Sequence, residues 1–267
     1  MPLSKRHSGL TLLRILLVQS LTGLCLKAQP LPEGWWQQSS AESVLSKAEA
    51  ITHNLSYFHG SKVHLLDDQD ASIEFFQRKL PSGTVETKYV SHEGRVLFSD
   101  YKLESGRYFS EYGRIIKCTF EDDQKERSLA ATLDHPYDYK MLKPEIIGTN
   151  DCLVVARIAT PQFLEMLTTN YYPGYTSGDK GLLGDLMQFI RSETDIYIRK
   201  SDGVVNGEVK KNKSGEVLID RLYAVIQVNN PIPDAEFVLP KAPMETATNS
   251  VQFLNMSSEA MHAYNSP

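Results

Sequence analysis

Between Asp195 and Pro240 apolar and polar residues alternate in three runs separated by reversals. Ile196 and Ile198 share one side of the first run, and Tyr197 takes the other. Ser201-Asp202-Gly203 supplies turn chemistry, because Asp bonds its own backbone and Gly accepts positive φ. Val204, Val205 and Val209 carry a second strand up to Lys210-Lys211, and Asn212-Lys213-Ser214-Gly215 turns the chain again. Val217, Ile219, Leu222, Ala224, Ile226 and Val228 mark a third strand, with a slip of phase at Asp220-Arg221 that reads as a bulge. Pro231 and Pro233 end it, since proline cannot donate to a ladder. The pattern predicts an antiparallel meander.

Short alternating runs of the same kind fill the region upstream. Val63 and Leu65, Ile73 and Phe75, Val85 with Thr87 and Tyr89, and Val96 with Phe98 each share a face, and Arg107–Tyr112 and Arg114–Phe120 continue the series. Glu145–Gly148 and the strongly apolar Cys152–Thr160 are further strands, while Tyr137–Leu142 reads as irregular. Alternation predicts one covered face and one wetter face. Helical spacing occurs in two places. Ser39 with Glu42 reads as a capping box before Ala41–Phe58, whose Val44, Leu45, Ala48, Ile51, Leu55 and Phe58 fall on one face. Thr160-Pro161 opens an excursion to Ile190 with Phe163, Leu164, Met166 and Leu167 in one helix and Leu183, Leu186 and Met187 in a second. This insertion reads either as a cover over the open side of the sheet or as an αα-hairpin filling core space.

The chain has 267 residues, 41% hydrophobic and 23% charged, which suits one large β-rich domain. Residues 1–28 carry Lys5, Arg6 and Arg14 before an apolar run at Ile15–Leu26, the pattern of a signal peptide ending at Ala28; a single N-terminal anchor is the alternative. Removing that segment takes away Lys5, Arg6, Arg14 and Lys27 and no acids, so the formal charge moves from −5 to −9. Such a chain has no electrostatic footprint for nucleic acid, and an exported, periplasmic location follows. The domain is expected over 29–240, with 161–190 inserted and 241–267 as a tail or a weak terminal helix around Ser257–Ala263. Cys118 and Cys152 remain after export, and they are either disulfide-bonded or two buried free thiols on neighbouring strands.

The sequence contains no GxSxG, HExxH or GxxxxGK motif, and its histidines and cysteines lack metal-site spacing. No cofactor or catalytic group is expected, and binding is favoured over enzyme activity. A curved sheet with one apolar face binds acyl chains by burying CH₂ groups, at roughly 0.8 kcal/mol each, without directional chemistry. The expected ligand-binding residues are Ile73, Phe75, Val96, Phe98, Ile196, Ile198, Leu222 and Ile226 from strands, with Leu183, Leu186 and Met187 from the cover. Plain core is the competing reading of each.

A long amphipathic helix, a strand meander and the closing phrase Asn230-Pro231-Ile232-Pro233-Asp234-Ala235-Glu236-Phe237-Val238-Leu239-Pro240 together resemble the LolA-like lipoprotein-carrier superfamily. Gly148…Cys152-Leu153-Val154, followed by Tyr197-Ile198…Asp202-Gly203…Gly215-Glu216, also resembles the N-terminal domain of RseB/MucB-type periplasmic regulators. The resemblance implies an α+β fold: a strongly curved antiparallel sheet forming an unclosed half β-barrel, with a long N-terminal helix and a helical lid. It implies no enzyme activity. Two functions follow from it: a periplasmic carrier or sensor of lipid, lipoprotein or another acylated ligand, or a regulatory module that docks an inner-membrane protein or transporter in envelope-stress signalling. The Pro161–Ile190 insertion is longer than the strand connections usual in the carriers.

Overall fold

The structure, a computed structural model, describes residues 31–62, 71–93, 96–119, 128–171, 191–249, 252–253 and 255–259, all within the unit Leu31–Pro267. After helix α1 (Ala41–His53) come strands β1 (Tyr57–Lys62), β2 (Ala71–Lys79), β3 (Val85–Glu93), β4 (Val96–Leu103), β5 (Gly106–Glu111) and β6 (Arg114–Cys118). Next are β7 (Tyr137–Met141), β8 (Glu145–Ile147), β9 (Asn150–Ala159) and helix α2 (Pro161–Tyr171). Strands β10 (Glu193–Arg199), β11 (Val205–Lys211), β12 (Val217–Val228) and β13 (Met244–Ala247) complete the order. All thirteen described strands join one sheet, in the order β13-β6-β5-β4-β3-β2-β1-β12-β11-β10-β9-β7, with β8 beside β7 on β9. Its end strands β13 and β7 do not pair, so this α+β fold is an unclosed half-barrel.

Each face of the sheet is covered in part. On the inner face, α1 lays Val44, Leu45 and Ala48 over Leu153, Val155, Ile196 and Ile198. At the far end Phe253 and Met256, from helical residues at 252–253 and 255–259, lie on Phe109, Ile116 and Cys118. The outer face of β2–β6 is crossed by residues 231–242. There Phe237 packs on Phe76 and Val90, and Leu239 and Ala242 pack on Tyr101, Tyr108 and Ile115. This strap is the Pro-x-Pro-Asp phrase of the sequence, and Arg78 and Lys88 anchor its Asp234 and Glu236. Residues 241–267, expected as a tail, supply β13, which pairs parallel to β6, and the helical residues beyond it.

Three local expectations change. The first helix is capped by Ser40, whose hydroxyl accepts from Ser43 N at 3.2 Å, and it ends at His53 with Asn54 as C-cap. It does not run to Phe58, because Leu55 and Phe58 are drawn into a cluster with Val204 and Tyr223, and Gly60 is a strand residue. A Cβ at Gly60 would sit 2.7 Å from the Tyr223 ring, so only glycine lets that ring lie down on β1. Tyr137–Met141 is a strand paired with β9 over five residues, held by registry with an apolar neighbour that its own sequence does not advertise. The irregularities of β12 fall beside Leu218 and Ala224, where the register against β11 and β1 shifts, and not at Asp220-Arg221.

A further shift, between Tyr197 and Ile198, leaves Asn206 as the extra residue of β11; its side-chain amide donates to Tyr223 O at 3.0 Å. Gly207 follows at φ +135°, and a Cβ there would lie 1.9 Å from Arg221 O. Strain and a backbone clash add together at this position. Gly207→Ala should therefore destabilise the fold by about 3 kcal/mol or more in urea titration. Gly83→Ala, at positive φ but in open space, should cost only about 1 kcal/mol. Equal losses would contradict this account of the bulge.

Candidate functional site

Between α1 and the C-terminal helical residues no other described residue covers the inner face, and a cleft of about 510 Å³ lies there. Its floor is aromatic. Phe58, Phe75 and Tyr223 form a triangle with ring centroids 5.8, 5.9 and 6.2 Å apart, and Phe98 and Phe109 form a second pair at 5.9 Å. Strand parity explains the grouping. Phe75 and Gln77 on β2, Thr87 and Tyr89 on β3, and Phe98, Asp100 and Lys102 on β4 alternate with residues that face the strap. Ile196 and Val205 extend the apolar floor towards α1, which contributes Glu49 and Thr52. Burial pushes the Tyr223 phenol well above its usual pKa, so it stays neutral.

The walls are charged, in a repeated arrangement. Arg107 donates to both carboxylate oxygens of Asp100, at 3.2 and 2.9 Å, and lies 4.7 Å from the Phe109 ring centre. Arg157 pairs with Glu49 at 3.7 Å and lies 5.2 Å from the Tyr137 ring. Arg221 pairs with its cross-strand neighbour Glu208 at 3.5 Å and lies 5.2 Å from the Tyr89 ring. Tyr89 belongs to β3 and Arg221 to β12, with β2 and β1 between them, a span of ~14 Å on flat sheet. That reach marks this face as the concave one.

Of the strand residues expected to meet a ligand, Phe75, Phe98 and Ile196 line the cleft together. Ile73 lies on the same face of β2 as Phe75 and is buried. Ile198 is on the same face as Ile196 but is covered by α1. Ile226 packs beside Phe58 and Tyr223. Leu222 is on the outer face with Cys152, Val154, Tyr197 and Val209; the bulge at Ala224 reverses parity between it and Ile226. The side chain of Val96 lies outside the described residues, as do Leu183, Leu186 and Met187. Of the expected cover, α2 packs Phe163 and Leu167 on Leu129, Leu133 and Tyr137, which is core filling.

The wall residues Asp100, Arg107, Arg157, Glu208 and Arg221, with Tyr89 and Tyr223, are not among the sequence candidates. They were visible as charges in phase with aromatic residues, as in Phe98-Ser99-Asp100 and Arg221-Leu222-Tyr223. A search for apolar alternation alone passes over them.

No protein-family model matches the chain, and no curated protein matches it. Solved structures do. MucB in complex with MucA(peri) matches at a TM-score of 0.47 and 14% identity, covering 78% of this chain and 63% of that one. The lipoprotein LppX of Mycobacterium tuberculosis matches at 0.39 and 14%, covering 73% and 99%. An outer membrane lipoprotein-sorting protein domain from Vibrio parahaemolyticus matches at 0.31 and 8%, covering 74% and 97%. The first and third carry the names of the two groups that the sequence resembles. The chain spans a little under two thirds of the length of the MucB chain it matches.

Cys118 and Cys152 are both free. They lie on opposite faces of β6 and β9, near opposite ends of the sheet, so the expected alternative of a disulfide is excluded by separation. Burial pushes Cys118 up to about 11 and Cys152 up to about 12. A raised thiol pKa means that folding favours the neutral form, so this stabilisation is complete below about pH 9 and is lost as pH rises through those values. Wild-type stability in denaturant titrations should fall across that range. The Cys118→Ala/Cys152→Ala double variant should fall measurably less; parallel curves would contradict this reading.

Proposed function

We propose that this protein is a non-enzymatic, exported binding protein that holds an acylated ligand in the cleft of its half-barrel, as a carrier or sensor of lipid or lipoprotein. The observation that supports this is the aromatic-floored cleft on the concave face between α1 and the C-terminal helical residues. Among the described residues, Phe75, Phe98 and Phe109 keep part of their rings exposed there, on a floor backed by the buried Phe58 and Tyr223, while α1 and the C-terminal helical residues cover the face to either side. Its volume falls within the range of small-molecule sites. A chain of about ten methylenes laid on it gains roughly 8 kcal/mol before the cost of association. The export pattern of residues 1–28 supports a periplasmic location, where acyl chains need a shield from water in transit.

A second reading is a regulatory module that docks a membrane protein. Ile146 and Val225, 74% and 55% exposed, support it: the turn after β8 brings Gly148 and Asn150 against Ala224, beside Val225.

Displacement of a fluorescent fatty acid from the mature protein tests the first reading. Phe75→Ala and Phe98→Ala should each weaken binding about tenfold, a loss of ~1.4 kcal/mol. Leu222→Ala, on the other face, should lower stability and leave affinity unchanged. An Ile146→Glu/Val225→Glu variant should bind fatty acid normally. No displacement by any acyl compound would overturn the carrier reading.

A further inference from the structure

Three times around the cleft an arginine is set between a carboxylate and an aromatic ring: Arg107 with Asp100 and Phe109, Arg157 with Glu49 and Tyr137, and Arg221 with Glu208 and Tyr89. We infer that the ligand's polar head is zwitterionic, an ammonium beside a phosphate, and that Arg221, Glu208 and Tyr89 receive it. This rests on the acyl-binding reading above and names the headgroup class.

The local pairing at each arginine carries the inference, and not the net charge of the wall, since Lys102 adds a cation on β4, away from β11 and β12. Each guanidinium already has a carboxylate partner, so an anionic head that takes the arginine leaves the acid without its partner in a partly desolvated cleft. A cationic head does the reverse. A head bearing both charges exchanges one ion pair for two, its phosphate on the guanidinium and its ammonium on the carboxylate, and nothing is left unmatched. The ring that the guanidinium vacates offers its face to the ammonium, since a cation over an aromatic face is attracted by the ring quadrupole.

Two of the three pairs are loose, Arg157–Glu49 at 3.7 Å and Arg221–Glu208 at 3.5 Å, against 2.9 Å for the bidentate Arg107–Asp100 pair. Of these two, only the Arg221 site has its ring in the cleft, because Tyr89 lines it whereas Tyr137 packs against Phe163 of α2. Glu208 and Arg221 are direct cross-strand partners on β11 and β12, so the two groups hold a fixed spacing while their contact loosens.

The test uses the mature protein and three single-chain probes of equal acyl length: lysophosphatidylethanolamine, lysophosphatidylglycerol and the free fatty acid. Wild type should bind the first about tenfold more tightly than the other two. Glu208→Gln, which keeps shape and removes one charge, should bring the two lysophospholipids within about threefold of each other. Asp151→Asn, a surface change outside the cleft, should leave the ratio as in wild type. Equal binding of all three probes, or a ratio untouched by Glu208→Gln, overturns the headgroup inference while leaving acyl binding standing. Binding of none overturns both.

Discussion

The pairing of β1 with β12 is the contact on which the rest depends. It joins β1–β6, with β13 at their outer edge, to β7–β12, so one sheet exists where two smaller ones would otherwise lie. Five residue pairs make the seam, and Asn229 locks its end, donating its backbone N–H to Tyr57 O at 2.8 Å while its side-chain oxygen accepts from Ser56 N. Asn229 sits at φ +57°, a conformation asparagine tolerates better than most residues. Tyr223 crosses the seam from β12 onto Gly60 of β1, and the aromatic triangle of the cleft floor is assembled from strands on both sides of it. Without the seam there is neither concavity nor floor.

The distribution of cover over the sheet then decides where a ligand has room. A two-faced sheet must hide apolar surface on both sides, and this chain does so with elements of unequal reach. The strap at 231–242 is held to the outer face by Phe237 and by ion pairs to Arg78 and Lys88, so that face is closed over β2–β6. On the inner face α1 stops at His53, because Asn54 caps it and Leu55 is pulled into the core. A helix as long as its amphipathic spacing suggests would have run on past that point. Its early end is a local event of capping and packing with a direct consequence for the ligand site.

Much of the architecture was legible in the residue pattern, since β2, β3, β5, β9, β10, β11 and β12 each fall close to an alternating run with turn chemistry at its ends. Parity was legible only as far as the strands stay regular. Ile196 and Phe75 share the cleft as their phases imply, whereas Leu222 and Ile226 part company because one extra residue at Ala224 reverses the face. Bulges of that kind depend on the partner strand, and no local propensity announces them. The charged wall escaped for a different reason. Asp100 and Arg107, or Glu208 and Arg221, look like solvated positions until the sheet curves and sets each pair beside a ring.

The central claim is that the concave aromatic floor, and no outer apolar patch, receives an acyl chain. Photo-crosslinking with a fatty acid that carries a diazirine near its methyl end, followed by peptide mapping of the full chain, tests it most directly. The account predicts adducts on β2, β4 and β12, at or beside Phe75, Phe98 and Tyr223. Adducts confined to the exposed outer residues Ile146, Val225 and Val238 would contradict it.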